Sequence, residues 1–409
     1  LIKFIEDFWK TLEEKYRKRI KGISVGGMGE AGLLIDKNGK ALTPIYSWLD
    51  KRGTEELSLL NDLGKELIFQ ITGLKINPKY SLAKILWLKK HHKDIWKNSY
   101  KWLNAVDYIV YYFTKKAITD FSLGSRMLLF DLKSKTWSQE ILDLCKIPIE
   151  KLPELKPAGS IIEDNKYTFV LGGHDHPIGS LALDLRKAIY DSWGTAEAFL
   201  IHTEKTILKE EVRKLGFSVG CIFHNLYHII AGIPYSGGIT RWIREKLKLT
   251  IPLIFNKPTH IFFFPYLMGK ETSSTNQSIK ALFYGIDMNT SINDLKQAIW
   301  EGVFYESRFI IENLKNINPD LEKIFLAGGM TRYKTLSQLK ANILNTPVYV
   351  SKEKELTSKG LGYLISLALR NNPKNFKENN FILVKPDEKV KEYNDLYMEY
   401  KKIKSLLEV

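Results

Sequence analysis

An aspartate that follows two glycines and opens a helix can accept a proton beside a bound ligand, and Gly172-Gly173-His174-Asp175-His176-Pro177 has that form. The glycine pair leaves room for the ligand, and a hydroxyl attacking phosphorus needs an acceptor for its proton within hydrogen-bond reach. The same aspartate could serve as a plain helix N-cap. His174 and His176 flank it in strand-like alternation, but no third ligand stands at a helpful spacing. They read as residues behind the site or facing solvent, not as metal ligands. His224 and His228 stand at i and i+4 without the glutamate of H-E-x-x-H, and read as ordinary helix residues.

Other glycines sit where strands end, the place where an α/β protein holds phosphates against bare backbone and free N–H groups. Asp191-Ser192-Trp193-Gly194-Thr195 offers a backbone N–H and a hydroxyl, and Gly328-Gly329 lets a flat nucleotide lie on the chain. Each taken singly fits a tight strand–helix turn equally well. Gly27-Met28-Gly29-Glu30-Ala31-Gly32 matches G-x-G-x-x-G, yet the residues that follow predict a hairpin closed at Asn38-Gly39, where a dinucleotide fingerprint requires a helix. That leaves either a glycine-rich hairpin corner or a loop presenting Met28 and Glu30 to a substrate.

Alternating patterns supply the elements that must position these residues. Short strands are predicted at 22–25, 33–35, 169–171, 188–192, 324–327 and 348–350. Helices are predicted at 1–19 (one face buried), through most of 54–116, and at 178–185, 294–316, 333–344 and 357–369, with a charged amphipathic helix after Asp387. Strands alternating with helices give an α/β class. The 409 residues suffice for two or three domains. Lys and Arg number 61 against 46 Asp and Glu, but the excess is spread along the chain without a nucleic-acid motif, so no nucleic-acid partner is expected. Two distant cysteines build no disulfide framework and fit a cytoplasmic protein, and the apolar runs are too short to span a bilayer.

In order, these segments resemble the FGGY family of carbohydrate kinases across nearly the whole chain. Residues 24–30 resemble its substrate loop, and Trp48-Leu49-Asp50-Lys51-Arg52 its W-x-D-x-R stretch. Gly172 to Asp175 resembles its G-x-x-D element, and Ser192 to Thr195 its S-x-G-T segment. Gly328 to Arg332 with Gln338 and Asn342 resembles its nucleotide cradle, and Gly360-Leu361-Gly362 its late small-residue helix.

The resemblance implies two actin-like (ribonuclease H-like) ATPase domains, at 1–185 and 187–372, with an interdomain cleft and a helical tail at 373–409. It implies phosphorylation of a sugar or polyol hydroxyl by ATP with Mg2+, Asp175 being the catalytic base. Met28, Glu30, Asp50, Arg52 and His174 would hold the substrate. Gly194, Thr195, Gly328, Gly329 and Asn342 would hold ATP, and a homodimer is among the expected assemblies. Asp50 and Arg52 could equally form a surface ion pair.

The family's opening D-x-G-T-T-type hairpin has no counterpart, and Leu1 is not a start residue, so the sequence reads as a fragment. The alternative is a catalytically impaired protein that binds sugar as a sensor. Glu30 stands where relatives with ketose substrates often carry histidine. Neither NAD nor NADP is expected to shift the thermal midpoint, and a shift with either would reinstate the dinucleotide reading of 27–32.

Overall fold

The computed structural model of the chain describes residues 2–163, 167–250, 255, 257–270, 279–376 and 380–407. Two sheets position the residues of interest. In the first, β1 (Gly22–Gly27), β2 (Ile161–Glu163) and β3 (Thr168–His174) stand in the order β1-β3-β2, with β1 parallel and β2 antiparallel to β3. The second contains β4 (Ala188–Trp193), β5 (Glu197–Thr203), β6 (Ser218–Phe223), β7 (Leu226–Ile233), β8 (Lys323–Ala327), β9 (Val348–Ser351) and β10 (Phe381–Val384). Their order is β6-β7-β5-β4-β8-β9-β10.

Strands β4 to β7 pair antiparallel, whereas β8 pairs parallel with β4 on one side and β9 on the other. That register sets Asp191 beside Leu326 and Ser192 beside Ala327. The loops after β4 and β8 therefore leave the sheet side by side, at the carboxyl ends of parallel strands where open α/β sheets take their ligands.

Seven helices bear on the argument: α1 (Ile2–Thr11), α2 (Asp175–Ser180), α3 (Ile239–Glu245), α4 (Ile292–Ile317), α5 (Lys334–Leu344), α6 (Leu356–Ala368) and α7 (Val390–Leu406). Helix α4 starts on a capping box in which Ser291 Oγ accepts from the Asp294 N–H and the Asp294 carboxylate accepts from the Ser291 N–H. Its inner face carries Trp300, Val303 and Phe304, all buried. Helix α7 lays Tyr393, Tyr397 and Tyr400 against α4, and their phenols donate to Glu301 at 2.9 Å, Glu312 at 2.8 Å and Glu306 at 2.9 Å. Spacing of three and four residues puts the three rings on one face. Among the described residues no helix is long and apolar enough to cross a membrane.

Three expectations from the sequence are corrected. The 1–19 helix breaks into α1 and a single turn at Glu14–Arg17, and neither buries a residue. Phe4 and Phe8 are 75% and 57% exposed, because α1 touches the body mainly through Trp9, edge-on to Tyr167, and Glu6, which accepts from Tyr112. The helix expected at 178–185 is instead Asp175–Ser180; Pro177 falls in its first turn, where a missing N–H costs nothing. His224 and His228 are not helical. They belong to the β6–β7 hairpin, whose alternating apolar residues outweigh a coincidental i, i+4 spacing.

Helix α5 is fastened to the second sheet by charge. Lys340 Nζ meets Glu197 Oε1 of β5 at 2.5 Å and Asp191 Oδ2 of β4, with all three side chains fully buried. Glu197 also accepts from Ser236 Oγ at 2.5 Å and Ser307 Oγ at 2.9 Å, and the ammonium lies 4.6 Å from the Trp193 ring centre. Burial pushes the Asp191 carboxyl up against the pull of Lys340. Removing one member of such a cluster strands the others in a dry interior. Lys340→Met is expected to cost about 3–5 kcal/mol in urea unfolding, with most of the loss recovered when Asp191→Asn and Glu197→Gln are added; an unchanged midpoint in Lys340→Met contradicts the assignment.

His228 is fully buried and neither ring nitrogen finds a hydrogen-bond partner among the described residues. Burial holds its imidazolium form far below the ordinary range. The unfolded chain gains a proton below about pH 6.5 that the folded ring refuses, so stability falls as pH drops through that value. Between pH 7 and 5.5 the wild type should lose about 1 kcal/mol more than His228→Leu in urea titrations, and parallel losses would contradict this.

Candidate active site

Asp175 is placed by the end of β3. Gly173 takes φ +148°, and a Cβ there would lie 2.4 Å from Ser122 Oγ and 2.7 Å from the Asp120 carboxylate, a space only glycine leaves open. Asp120 caps the short helix Phe121–Gly124 by accepting from the N–H groups of Ser122 (2.7 Å) and Leu123 (3.1 Å). Ser122 Oγ in turn accepts from the His174 N–H at 2.9 Å. The turn into α2 is thus pinned from below, and it delivers Asp175 with 35% of its side chain exposed.

Asp175 Oδ1 accepts from the His176 N–H at 2.8 Å and faces His174 Nε2 at 3.3 Å and His176 Nε2 at 4.0 Å. Burial pushes the carboxyl up, but His176, His174 and the backbone N–H groups outweigh it and hold it below the ordinary range. It is therefore ionised at neutral pH. His174 is itself kept neutral, its pKa lowered to about 4 by burial against the opposing pull of Asp175 and Glu30. His176 Nδ1 shares a hydrogen bond with Ser192 Oγ at 3.1 Å, which links α2 to β4 across the junction of the two sheets.

A cavity of about 460 Å³ opens above these residues and is lined from both halves of the chain. The first half contributes Met28, Glu30, Trp48, Lys79, Arg126, His174, Asp175 and His176, and the second contributes Thr195, Glu197, Ser218 and residues 230–234. Glu30 sits in the left-handed region at φ +56°, which turns its carboxylate inward to 8% exposure. Arg126 grips it, with Nε at 2.7 Å and Nη2 at 2.5 Å from Oε1. Burial pushes this carboxyl up, and Arg126, with His174 and Lys79 behind it, pulls it below its usual value.

Asp50 and Arg52, expected at the substrate, are not among the lining residues. They pair with each other at 2.8 Å, and the guanidinium is sandwiched between the rings of Tyr46 (4.4 Å) and Trp87 (4.6 Å). The ion-pair alternative is the geometry found. Lys79 and Arg126 take the lining positions instead, and lone basic residues in a lysine-rich chain gave no signal for them.

At the far side of Thr195 three glycine-bearing turns converge. Gly194 and Thr195 join β4 to β5, while Gly328 and Gly329 follow β8. Gly328 has φ +112°, and a Cβ on it would stand 2.4 Å from the Trp193 carbonyl, while a Cβ on Gly329 would meet nothing within 4 Å. The third turn, Ser236-Gly237-Gly238 ahead of α3, was missed in the sequence, although it shows the same strand–glycine–helix junction. Its Ser236 and Gly238 N–H groups donate to the Thr195 carbonyl at 3.1 and 2.9 Å, and a Cβ on Gly237 would lie 2.2 Å from the Gly194 carbonyl oxygen. The result is a cradle of bare backbone suited to phosphates and a nucleotide.

Asn342 is not brought to that cradle. It is buried on α5, donates to Asp387 Oδ1 at 2.9 Å and accepts from Gln338 at 3.0 Å. It lines a separate cavity of about 220 Å³ with Phe255, Asp387 and Tyr393. The resemblance pointed to it by position, but its amide holds the start of the tail.

Residues 3–184 match the family model for the FGGY family of carbohydrate kinases, N-terminal domain, and residues 190–369 match that family's C-terminal domain. Xylulose kinase of Staphylococcus xylosus is 26% identical over 374 residues, covering 85% of this chain and 77% of that protein. Glycerol kinase of Thermococcus kodakarensis is 25% identical over 374 residues, covering 86% and 75%. Among solved structures, ligand-bound xylulose kinase from Lactobacillus acidophilus superposes with a TM-score of 0.89 at 20% identity, over 100% of this chain and 89% of that one. Gluconate kinase from the same organism gives 0.86 at 20% identity, over 99% and 89%.

The α/β halves are two actin-like (ribonuclease H-like) ATPase domains, and nothing in these matches favours a non-catalytic sugar sensor. With one family matched along both halves, this chain belongs to the FGGY carbohydrate kinases and catalyses ATP-dependent phosphorylation of a hydroxyl group on a sugar or polyol.

Proposed function

We propose that Asp175 is the general base of this kinase and that its partners divide along the cavity. The sugar or polyol lies among Met28, Glu30, Trp48, Arg126 and His174, and the ATP phosphates lie at Gly194, Thr195 and Gly237. The nucleotide rests against Gly328 and Gly329, and the two domains, 1–185 and 187–372, close over both. The observation that carries this reading is the single cavity holding Asp175, ionised and partly exposed, together with Thr195 of the other half.

In the reaction, the substrate hydroxyl oxygen forms a bond to the terminal phosphorus of ATP while the bond from that phosphorus to the ADP oxygen breaks. The hydroxyl proton passes to the Asp175 carboxylate, and ADP leaves with the bonding electron pair. A carboxylate held below its ordinary pKa is unprotonated and ready at neutral pH. Glu30, fixed by Arg126, offers a rigid acceptor to substrate hydroxyls, and a prefixed acceptor positions them at little entropic cost. Closure of the two halves expels water, so that the sugar hydroxyl and not water receives the phosphoryl group.

Mg2+ fits as the companion of ATP. Of the carboxylates lining the cavity, Glu30 is gripped by Arg126 and Glu197 by Lys340, whereas Asp175 faces only imidazoles and backbone N–H groups. Asp175 Oδ2, the oxygen turned to neither imidazole, would join phosphate oxygens in holding Mg2+, a donor set that ion takes, and would leave Oδ1 for the hydroxyl proton. When bound, the ion offsets charge on the phosphates.

The reading is tested with Asp175→Asn in a coupled ADP-release assay over xylulose, glycerol, gluconate and further pentoses, hexoses and polyols. The variant is expected to lose about 10²–10⁴-fold in kcat while retaining sugar and ATP binding by calorimetry. A near-normal kcat removes Asp175 from the role.

A further inference from the structure

We infer that His174, Asp175 and His176 form a binding site for a divalent transition-metal ion of the Zn2+ class, and that its occupation switches the kinase off. The inhibitory half rests on the proposed role of Asp175; the binding half does not. Although the sequence offered no third ligand to the two histidines, the turn from β3 into α2 supplies one from between them. One ligand atom from each residue lies within 4.8 Å of the others, the one such histidine-containing trio among the described residues. Asp175 Oδ1 stands 3.3 Å from His174 Nε2 and 4.0 Å from His176 Nε2.

Bonds of about 2.0–2.2 Å to a tetrahedral ion leave its ligand atoms roughly 3.3 Å apart. The first pair already has that separation. The second reaches it by a small swing of the His176 ring, which is 30% exposed. The Ser192 hydroxyl at Nδ1 leaves the opposite nitrogen, Nε2, turned toward Asp175. A hydrogen bond on the remote nitrogen is what fixes ring orientation and tautomer in metal-bound histidines.

His174 supplies the second, independent observation. It is 5% exposed, and its Nδ1 finds no hydrogen-bond partner among the described residues. The nitrogen of this buried ring that faces the open Asp175 carboxylate is Nε2, so the imidazole aims that atom, and not Nδ1, into the site. Two imidazoles and one carboxylate select Zn2+, Co2+ or Ni2+ over Mg2+, which prefers oxygen ligands only. Three protein ligands leave a fourth position facing the cavity. An ion seated there takes the Asp175 lone pair that would otherwise receive the hydroxyl proton, so transition metals and turnover compete for the same oxygen.

The test uses the full chain freed of metal and titrated with Co2+, whose visible absorption reports four-coordinate binding without any turnover. One Co2+ per chain, displaced by Zn2+, is expected. His176→Gln and Asp175→Asn should each weaken binding at least tenfold, whereas His91→Gln, remote from the trio, should not. In the ADP-release assay Zn2+ should inhibit the wild type reversibly, with EDTA restoring the rate. The half-inhibiting concentration for His176→Gln, relative to that variant's own rate, should rise by the factor seen in Co2+ binding. Absence of a stoichiometric Co2+ spectrum, or unchanged affinity in a folded His176→Gln or Asp175→Asn, overturns the site. Binding without inhibition overturns the switch. Binding in a chain that turns over no tested substrate upholds the site and counts against the proposed reaction instead.

Discussion

The glycine-lined cradle beside Thr195 depends on three charges that never meet water. Lys340, Asp191 and Glu197 come from a helix and two neighbouring strands, and the strands are the two legs of the Gly194–Thr195 turn. Because desolvated charges attract strongly and tolerate little displacement, the cluster fixes the spread of those legs. Glu197 also collects Ser236, the residue that leads into Gly237 and Gly238. One carboxylate thereby sets two of the three walls of the glycine cradle. The third wall, after β8, is set by parallel pairing with β4.

The Glu30 side of the cavity is built differently. Its rigidity comes from a backbone conformation and a single ion pair: Glu30 in the left-handed region, held by Arg126. The residue behind the aspartate, His174, touches both systems, since its ring lies near Glu30 and Asp175 and its N–H rests on Ser122. On the proposed reading, substrate recognition and proton acceptance are mechanically connected through one buried imidazole.

How far the sequence could be read follows from the range of each interaction. Gly172-Gly173 ahead of Asp175, and the glycines at 194 and 328, were legible because the requirement for bare backbone is local. Asp50 and Arg52 could be read two ways because adjacency in the chain says nothing about whether two opposite charges turn to a ligand or to each other, and in the structure they pair with each other. The helix expected at 178–185 was shifted because Pro177 reads as a boundary, though it is tolerated within a first turn. Asp191, Glu197 and Lys340 could not be found at all, since two residues six apart acquire their meaning from a third more than 140 positions later. Arg126, almost 100 positions from Glu30, is a second case of the same kind.

The tyrosine face of α7 bears on how the protein is made. Glu306 is buried on α4 and accepts from Tyr266 as well as from Tyr400 and Lys404 of α7. Glu301 accepts from Tyr393 in addition to Thr259 and Gln297. During synthesis the second half can form most of its strands early, but Glu306 lacks the Lys404 ammonium until the segment bearing it emerges from the ribosome. Completion of that core then waits for α7, and until it docks the half-formed domain is the species that chaperones and proteases encounter.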